Sequence, residues 1–345
     1  MSENTGRQEV AQLGKYGLIE NLSGKFKMEN PSSVSGIGED ASVIKSHEGY
    51  ILASSKIFLE NIHFDLTYFP LKHLGYKCVA VGLSDILGMN GIPQQIRCNI
   101  AISNRFSVEA MKELMEGMRL CCSHYKIDLL GLDITSSRSG MVISIETIGN
   151  VDEEHLVSRN RAQDKELICV SGDLGGAYTG LILLEREKKV FEVNPDMKPN
   201  FAGYDYLLER QLKPEPRLDI IRDLRENDII PTSMINVSEG LATALIQLCR
   251  ASHRGCTVYE DKLPIDILTF NTLKELKIVG TTVALNGGED YEILFTIKQD
   301  DYEKIQKVKD ISVIGYIDEE SAGMNLITND EKLLPLRAQG FGETD

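Results

Sequence analysis

Apolar residues along this chain alternate between a two-residue and a three-to-four-residue rhythm, which predicts short strands interleaved with helices. The clearest helix covers residues 107–125. Met111, Leu114, Met115, Met118 and Cys122 follow helical spacing, and Ser107 is placed to cap its start. The methionine stripe reads as core packing. A second helix spans 73–87 and is stopped by Gly88, Gly91 and Pro93. A shorter one covers 8–23, with Val10, Leu13, Leu18 and Ile19 apolar. Residues 36–43 read as a turn feeding a strand. Further strands are predicted at 50–54, 96–102, 127–130 and 141–148, with an apolar run at 58–64 and a loop at 131–140.

A second half begins near Asp152. It reads as a strand at 166–171, a turn at 172–176 and a helix at 177–187. Residues 190–216 carry four prolines and form an excursion. Helices follow at 217–226 and 240–251, a strand at 282–285, a helix at 300–308 and a strand at 311–317. The pattern predicts an α/β and α+β two-domain chain, divided into residues 1–150 and 151–345. No repeat is visible at the level of residues.

Composition narrows the functional classes. The chain has 345 residues, 42% hydrophobic and 26% charged, and no apolar run long enough to span a membrane. Its net charge of −15 argues against a nucleic-acid partner, because backbone phosphates need a basic surface. Small phosphates remain possible where a divalent cation bridges them to carboxylates. Seven cysteines, with no Cys-x-x-Cys pair, fit buried reduced thiols and a cytoplasmic location. Met1 to Gln8 are polar, unlike a secretory signal.

Candidate chemistry lies in five segments that pair a carboxylate with small residues at an element end: 38–41, 84–86, 131–135, 238–240 and 287–290. Five such segments suggest loops that converge on one site. In the last of them, Gly287 and Gly288 precede Glu289, Asp290 and Glu292, then a β-prone run. The three carboxylates are expected to wall a pocket. The turn at 172–176 could cradle a phosphate but lacks the Lys-Ser/Thr of a P-loop, and reads as a helix start. His47, His73, His124, His155 and His253 lack ligand-like spacing and read as surface or structural residues.

The chain resembles the thiamine-monophosphate kinases, within the aminoimidazole-ribonucleotide (AIR) synthase-like group. The likeness runs nearly end to end, through 14–19, 36–41, Glu60-Asn61-Ile62-His63-Phe64, 83–86, 131–137, 170–172, 214–217 and 287–296. The Glu-x-x-His-Phe and Gly-Gly-Glu-Asp-Tyr-Glu segments are its most specific parts. Selenophosphate synthases fit less well, since the first cysteine here is Cys78. Hydrogenase-maturation enzymes end in a cysteine-bearing tail, whereas this chain ends Gly342-Glu343-Thr344-Asp345.

The resemblance implies an AIR-synthase-like N-terminal domain that pairs with its copy in a homodimer, and a C-terminal α+β domain. It implies transfer of the ATP γ-phosphoryl to thiamine monophosphate, giving thiamine diphosphate, with Mg²⁺ as cofactor. Asp40, Asp85 and Asp133 match metal ligands, and Glu239 stands at a fourth metal position. Ser54 and Ser55 match a small polar pair, Arg159 and Ser238 nucleotide contacts, His63 and Glu289 substrate contacts, and Phe341 an aromatic near the substrate.

The departures fall on the metal cage. Thr-Asp of the family is Ser55-Lys56 here, which puts a cation on the nucleotide side where a ligand is expected. Asp-x-Ser-Asp-Gly has become Asn236-Val237-Ser238-Glu239-Gly240, Gly-Asp-Asp has become Gly38-Glu39-Asp40, and Gly-Gly-Asp-Thr-Thr has become Gly131-Leu132-Asp133-Ile134-Thr135. A glycine-rich turn before Glu166 is replaced by Arg161-Ala162-Gln163-Asp164-Lys165. Two expectations follow: a kinase working with a reduced metal set, or an impaired paralogue that binds nucleotide or a thiamine compound without turnover.

Overall fold

The computed structural model describes residues 10–341. The start of the helix expected at 8–23, and the sequence features at 1–8 and 342–345, therefore lie outside the described residues. The first half contains α1 (Val10–Ser23), β1 (Ser33–Ser35), β2 (Ser42–Lys45), β3 (Tyr50–Leu59), α2 (Leu71–Leu87), β4 (Ile92–Ile102), α3 (Val108–Tyr125), β5 (Asp128–Ser136) and β6 (Val142–Val151). The second contains β7 (Leu167–Ser171), α4 (Gly176–Val193), α5 (Asp205–Leu212), α6 (Leu218–Glu226), β8 (Ser233–Val237), α7 (Leu241–Ser252) and β9 (Arg254–Tyr259). After these come α8 (Ile267–Glu275), α9 (Gly280–Asn286), β10 (Glu292–Ile297), α10 (Tyr302–Ile305), β11 (Ile311–Glu319), β12 (Met324–Ile327) and β13 (Leu333–Pro335).

Two sheets result. The six-stranded sheet has the order β1-β2-β3-β6-β4-β5, antiparallel except for the parallel β4–β5 pair. The alternating inward residues Ile143, Ile145, Ile96, Cys98 and Ile100 pack under α2 and α3. The α3 stripe lies here as its spacing predicts, with Leu114 and Met118 buried and Ser107 Oγ accepting from the Ala110 N–H. The seven-stranded sheet has the order β13-β12-β9-β11-β7-β10-β8. Its strands β8 and β10 are buried on both faces. One core lies against α7 and α9, the other against α6 and α10. Leu87, at the end of α2, belongs to the latter core, so α2 bridges the two halves.

Two sequence expectations are corrected. Residues 282–285, expected as a strand, lie in α9, because a short apolar run has no periodicity to tell the two apart. The loop expected at 131–140 is strand through Ser136, since the chain pairs in parallel with β4, Asn99 opposite Asp133 and Ala101 opposite Thr135. Among the described residues no helix is long and apolar enough to cross a membrane. All seven cysteines are free thiols, six of them buried.

Candidate functional site

Helix α2 carries the centre of the site. From Leu74 onward every residue is buried, including Lys77, Ser84 and Asp85. A helix enclosed on all sides must pair any charge it holds, or the charge costs far more than a hydrogen bond returns. Asp85 sits in the last turn, where the carbonyl end of the helix further disfavours an anion.

Its partner is Lys56, which alternation on β3 turns to the same face as Ser54 and Phe58. Lys56 Nζ lies 3.1 Å from Asp85 Oδ1. Asn236, near the end of β8, donates its side-chain N–H to Asp85 Oδ1 at 3.1 Å and its backbone N–H to Asp40 Oδ2 at 2.9 Å. Arg159 Nη2 donates to Asp40 Oδ1 at 2.6 Å. Glu39 shares that guanidinium, its Oε2 being 3.7 Å from Nε. Gly88 permits this closeness: a Cβ there would stand 2.6 Å from Asp40 Oδ2 and 2.9 Å from the Asn236 nitrogen.

Glu239, in the loop after β8, is paired as well. Lys15 Nζ bonds one carboxylate oxygen, and Tyr16 Oη donates to the other at 2.8 Å. Each of Asp40, Asp85 and Glu239 thus faces a cation from the chain itself. Burial pushes the Asp85 pKa up to about 6, against the pull of Lys56. Asp40 is also raised by burial, with Arg159 opposing. Burial lowers Lys56, but Asp85, Asp40 and Glu239 more than offset it, so the ammonium stays charged.

Beside this cluster lies a cavity of about 510 Å³ lined by Glu39, Asp40, Ser54, Ser55, Arg97 and Thr147. Ser54 Oγ, Thr147 Oγ1, Asn236 Oδ1 and Arg159 Nε are buried without a hydrogen-bond partner among the described residues. Buried polar atoms of this kind suit a polar ligand. The donor set does not suit a metal: among the described residues no three His, Cys, Asp or Glu side chains converge to hold one. Asp133 does not join the cluster. It is exposed on edge strand β5, where among the described residues its carboxylate accepts from the neighbouring Ile134 N–H.

A second cavity, of about 490 Å³, is lined by His63, Asp65, Tyr68, Tyr178, Lys188 and Glu289. His63 Nδ1 accepts the Leu59 N–H at 3.0 Å, so the proton of the neutral ring sits on Nε2. Burial lowers the His63 pKa, with Glu289 opposing, and keeps the ring neutral. Glu289 Oε2 is held by Lys77 Nζ at 3.1 Å and Gln211 Nε2 at 2.9 Å.

The segment after Gly287 is strained, with Gly288, Glu289 and Tyr291 at φ 73°, 62° and 54°. The Glu289 N–H donates to Ser238 O at 2.8 Å and the Tyr291 N–H to Val237 O at 3.0 Å. Those bonds join the cavity rim to the loop that carries Glu239, and place Ser238 between the two. Only Glu289 of the three expected carboxylates lines the cavity. Asp290 is buried and accepts from the Gly175 and Ala177 N–H groups at the start of α4. Burial pushes its pKa up to about 7, with Arg210 opposing. Glu292 is fully buried between Arg210 at 2.8 Å and Arg217 at 2.6 Å. Both are structural because α4 and the two arginines enclose them.

Phe341 packs on Tyr16, whose hydroxyl bonds Glu239, and is not among the residues that line the His63 cavity. Its ring lies 4.8 Å from that of Tyr16, with the Arg250 guanidinium 4.7 Å from its centre. Sequence reasoning missed Lys77 and Gln211. The available signal was a lysine inside a helix whose neighbours are nearly all apolar.

The profile of the family described as AIR synthase related protein, N-terminal domain, matches residues 38–151. The thiamine-monophosphate kinase of Buchnera aphidicola subsp. Schizaphis graminum is 31% identical over 336 residues, which cover 96% of this chain and 98% of that one. The thiamine-monophosphate kinase of Bacillus subtilis is 28% identical, over 95% and 99%. Among solved structures, AaThiL complexed with AMPPCP and TMP superposes with a TM-score of 0.82 at 23% identity, covering 98% of this chain and all of that one. The hydrogenase maturation protein HypE in complex with ATP shares the fold at a TM-score of 0.68 and 16% identity.

Proposed function

The chain belongs to the thiamine-monophosphate kinase family, and from that premise we propose that it transfers the γ-phosphoryl group of ATP to thiamine monophosphate, at a reduced rate. The observation that carries the substrate is the cavity with His63 and Glu289 on its wall. Tyr68 and Tyr178 offer flat faces to the rings of the acceptor, and Glu289 offers a carboxylate to its cationic ring. The His63 Nε2–H is placed to donate to a phosphate oxygen.

The acceptor phosphate is largely ionised near neutral pH, its second pKa being about 6. No strong base is needed. The barrier lies in bringing two polyanions together, so the protein contributes positioning and positive charge. Lys56 keeps donors beyond the one given to Asp85, while Arg159, engaged by Asp40, Glu39 and Gln247, contributes its charge. Lys56 follows Ser54 and Ser55 on β3, and Arg159 holds Asp40, three residues on the wall of the 510 Å³ cavity that would hold the nucleotide. Mg²⁺, which the resemblance implies, does not fit these carboxylates, because each already faces an internal cation. An ammonium cannot bridge two phosphates as a metal does, hence the reduced rate.

The same pairing favours a second reading, in which nucleotide and thiamine compound bind without turnover. Chromatographic detection of thiamine diphosphate, formed one for one with ADP, separates the two. Product supports the kinase; binding of both ligands without product supports the alternative.

For quaternary structure, a homodimer through the six-stranded sheet is the reading that its exposed apolar side chains support. Leu130, Leu132 and Ile134 on β5 are 63%, 47% and 53% exposed, and Ile57 on β3 is 56% exposed. A sedimentation measurement giving a monomer at micromolar concentration, unchanged by Leu132→Glu, would contradict it.

A further inference from the structure

Lys56 is the feature of the acidic cluster that a metal-binding site would not contain. It emerges from β3 onto the face covered by α2, and its ammonium pairs with Asp85 at 3.1 Å, with Asp40 and Glu239 adding attraction from further away. Around it both oxygens of Asp40 and of Glu239, and Oδ1 of Asp85, already have partners. Asp40 gives one oxygen to Arg159 and the other to the Asn236 N–H, while Glu239 gives its oxygens to Lys15 and Tyr16. Asn236 donates its side-chain amide to Asp85 and its backbone N–H to Asp40, and adds no negative charge. A divalent ion needs several anionic oxygens to replace its hydration shell, and here most of the carboxylate oxygens already serve cations and donors of the chain itself.

We infer that Lys56 is a permanent replacement for a divalent cation, so that the cleft receives a nucleotide's polyphosphate on charge held by the protein and binds no divalent ion of its own. The inference rests on the kinase reading only for the identity of the phosphate ligand; the replacement itself is a property of the free protein. A lysine ammonium is a compact charge with three rotatable donors, and one oxygen of Asp85 uses a single donor. The others remain for phosphate oxygens. The buried Ser54 and Thr147 hydroxyls, which have no partner among the described residues, line the cavity beside Lys56. Because the charge is covalently attached, occupancy of this position does not depend on the concentration of free metal.

The test uses the whole protein at pH 7 with Mn²⁺ alone as probe, followed by its electron paramagnetic resonance, with no nucleotide or thiamine compound present. The wild type is expected to leave the free Mn²⁺ signal unchanged into the millimolar range. Lys56→Asp, which sets a third carboxylate beside Asp40 and Asp85, is expected to take up one Mn²⁺ per chain at least about tenfold more tightly and to gain thermal stability with it. Lys56→Gln, neutral and of similar length, is the second variant and is expected to gain affinity in the same direction. Wild-type uptake of one Mn²⁺ per chain that Asp85→Asn abolishes would overturn the inference. So would folded Lys56→Asp and Lys56→Gln proteins that bind no more Mn²⁺ than the wild type. ATP should raise the midpoint of the wild type with EDTA present as it does with Mg²⁺; a shift seen only with Mg²⁺ would also overturn it. Failure to make thiamine diphosphate leaves these readings unchanged, so the two failures are distinguishable.

Discussion

Lys77 Nζ and Glu289 Oε2 stand 3.1 Å apart, an ion pair whose lysine is 2% exposed and whose carboxylate is 29% exposed. It ties α2 to the rim of the His63 cavity. Asp85 lies eight residues further along the same helix, ~12 Å on at 1.5 Å per residue. One rigid element thereby sets the spacing between the acceptor cavity and the charged cluster.

The two glutamates of the Gly-Gly-Glu-Asp-Tyr-Glu segment should therefore separate by phenotype. Glu292→Ala removes the buried carboxylate that Arg210 and Arg217 share, leaving them Asp290, Asp219 and Asp310, and is expected to cost roughly 3 kcal/mol of stability. Glu289→Gln keeps an acceptor for Lys77 and should cost much less, while weakening thiamine monophosphate binding by about tenfold. Chemical denaturation and ligand titration on both variants check this. Equal stability losses would return Glu292 to the pocket wall.

Loss of Lys56 should depend on pH. The folded-state pKa of Asp85, about 6, lies above its ordinary 3.8, so the stability that protonation contributes is complete below about pH 4 and is lost as pH rises through 6. Without Lys56 the carboxyl is still harder to ionise, and the loss extends through neutral pH. Lys56→Gln should be destabilised by roughly 3 kcal/mol at pH 8 and little at pH 5, read as the midpoint of thermal unfolding. A loss that is the same at both pH values would show that Asp85 does not depend on Lys56.

Asp290 has the same sign for a different reason. Its pKa, pushed up to about 7 by burial, makes its contribution to stability largest in acid and smaller as pH rises through 7. Asp290→Asn removes the titration but keeps an oxygen for the α4 amide groups. The variant should gain on the wild type between pH 5 and pH 8, measured by unfolding at each pH. A constant difference would mean that Asp290 is ionised throughout.

His63 should act in its neutral form. Protonation would force Nδ1 to release the Leu59 N–H, and burial already lowers the pKa. His63→Ala is expected to raise KM for thiamine monophosphate by about tenfold with a smaller effect on kcat. The wild-type KM should stay flat from pH 7 to 8 and rise only in acid.

Much of this was legible in the sequence because the signals were local. The α3 stripe, the Ser107 cap and the stops after α2 need only neighbouring residues. Asp40, Asp85 and Lys56 could be singled out by motif, yet their pairing depends on Asn236, which arrives from a different sheet. Strand β8, which carries it, is five residues long and buried on both faces, so it lacks the alternation that marks an exposed strand. Asp290 and Glu292 look like Glu289 in sequence, and only the folded positions of α4, Arg210 and Arg217 tell them apart. Asp133 is the converse case: its motif matches, but β5 leaves it exposed at the sheet edge.

The most direct measurement is a single-turnover reaction with enzyme in excess over γ-labelled ATP, with saturating thiamine monophosphate and Mg²⁺. Label is expected to pass slowly but completely into thiamine diphosphate, and faster when Lys56→Asp, Asn236→Asp and Glu239→Asp are combined. Label that remains in ATP, or is released only as inorganic phosphate, while both ligands bind, would contradict phosphoryl transfer by this chain.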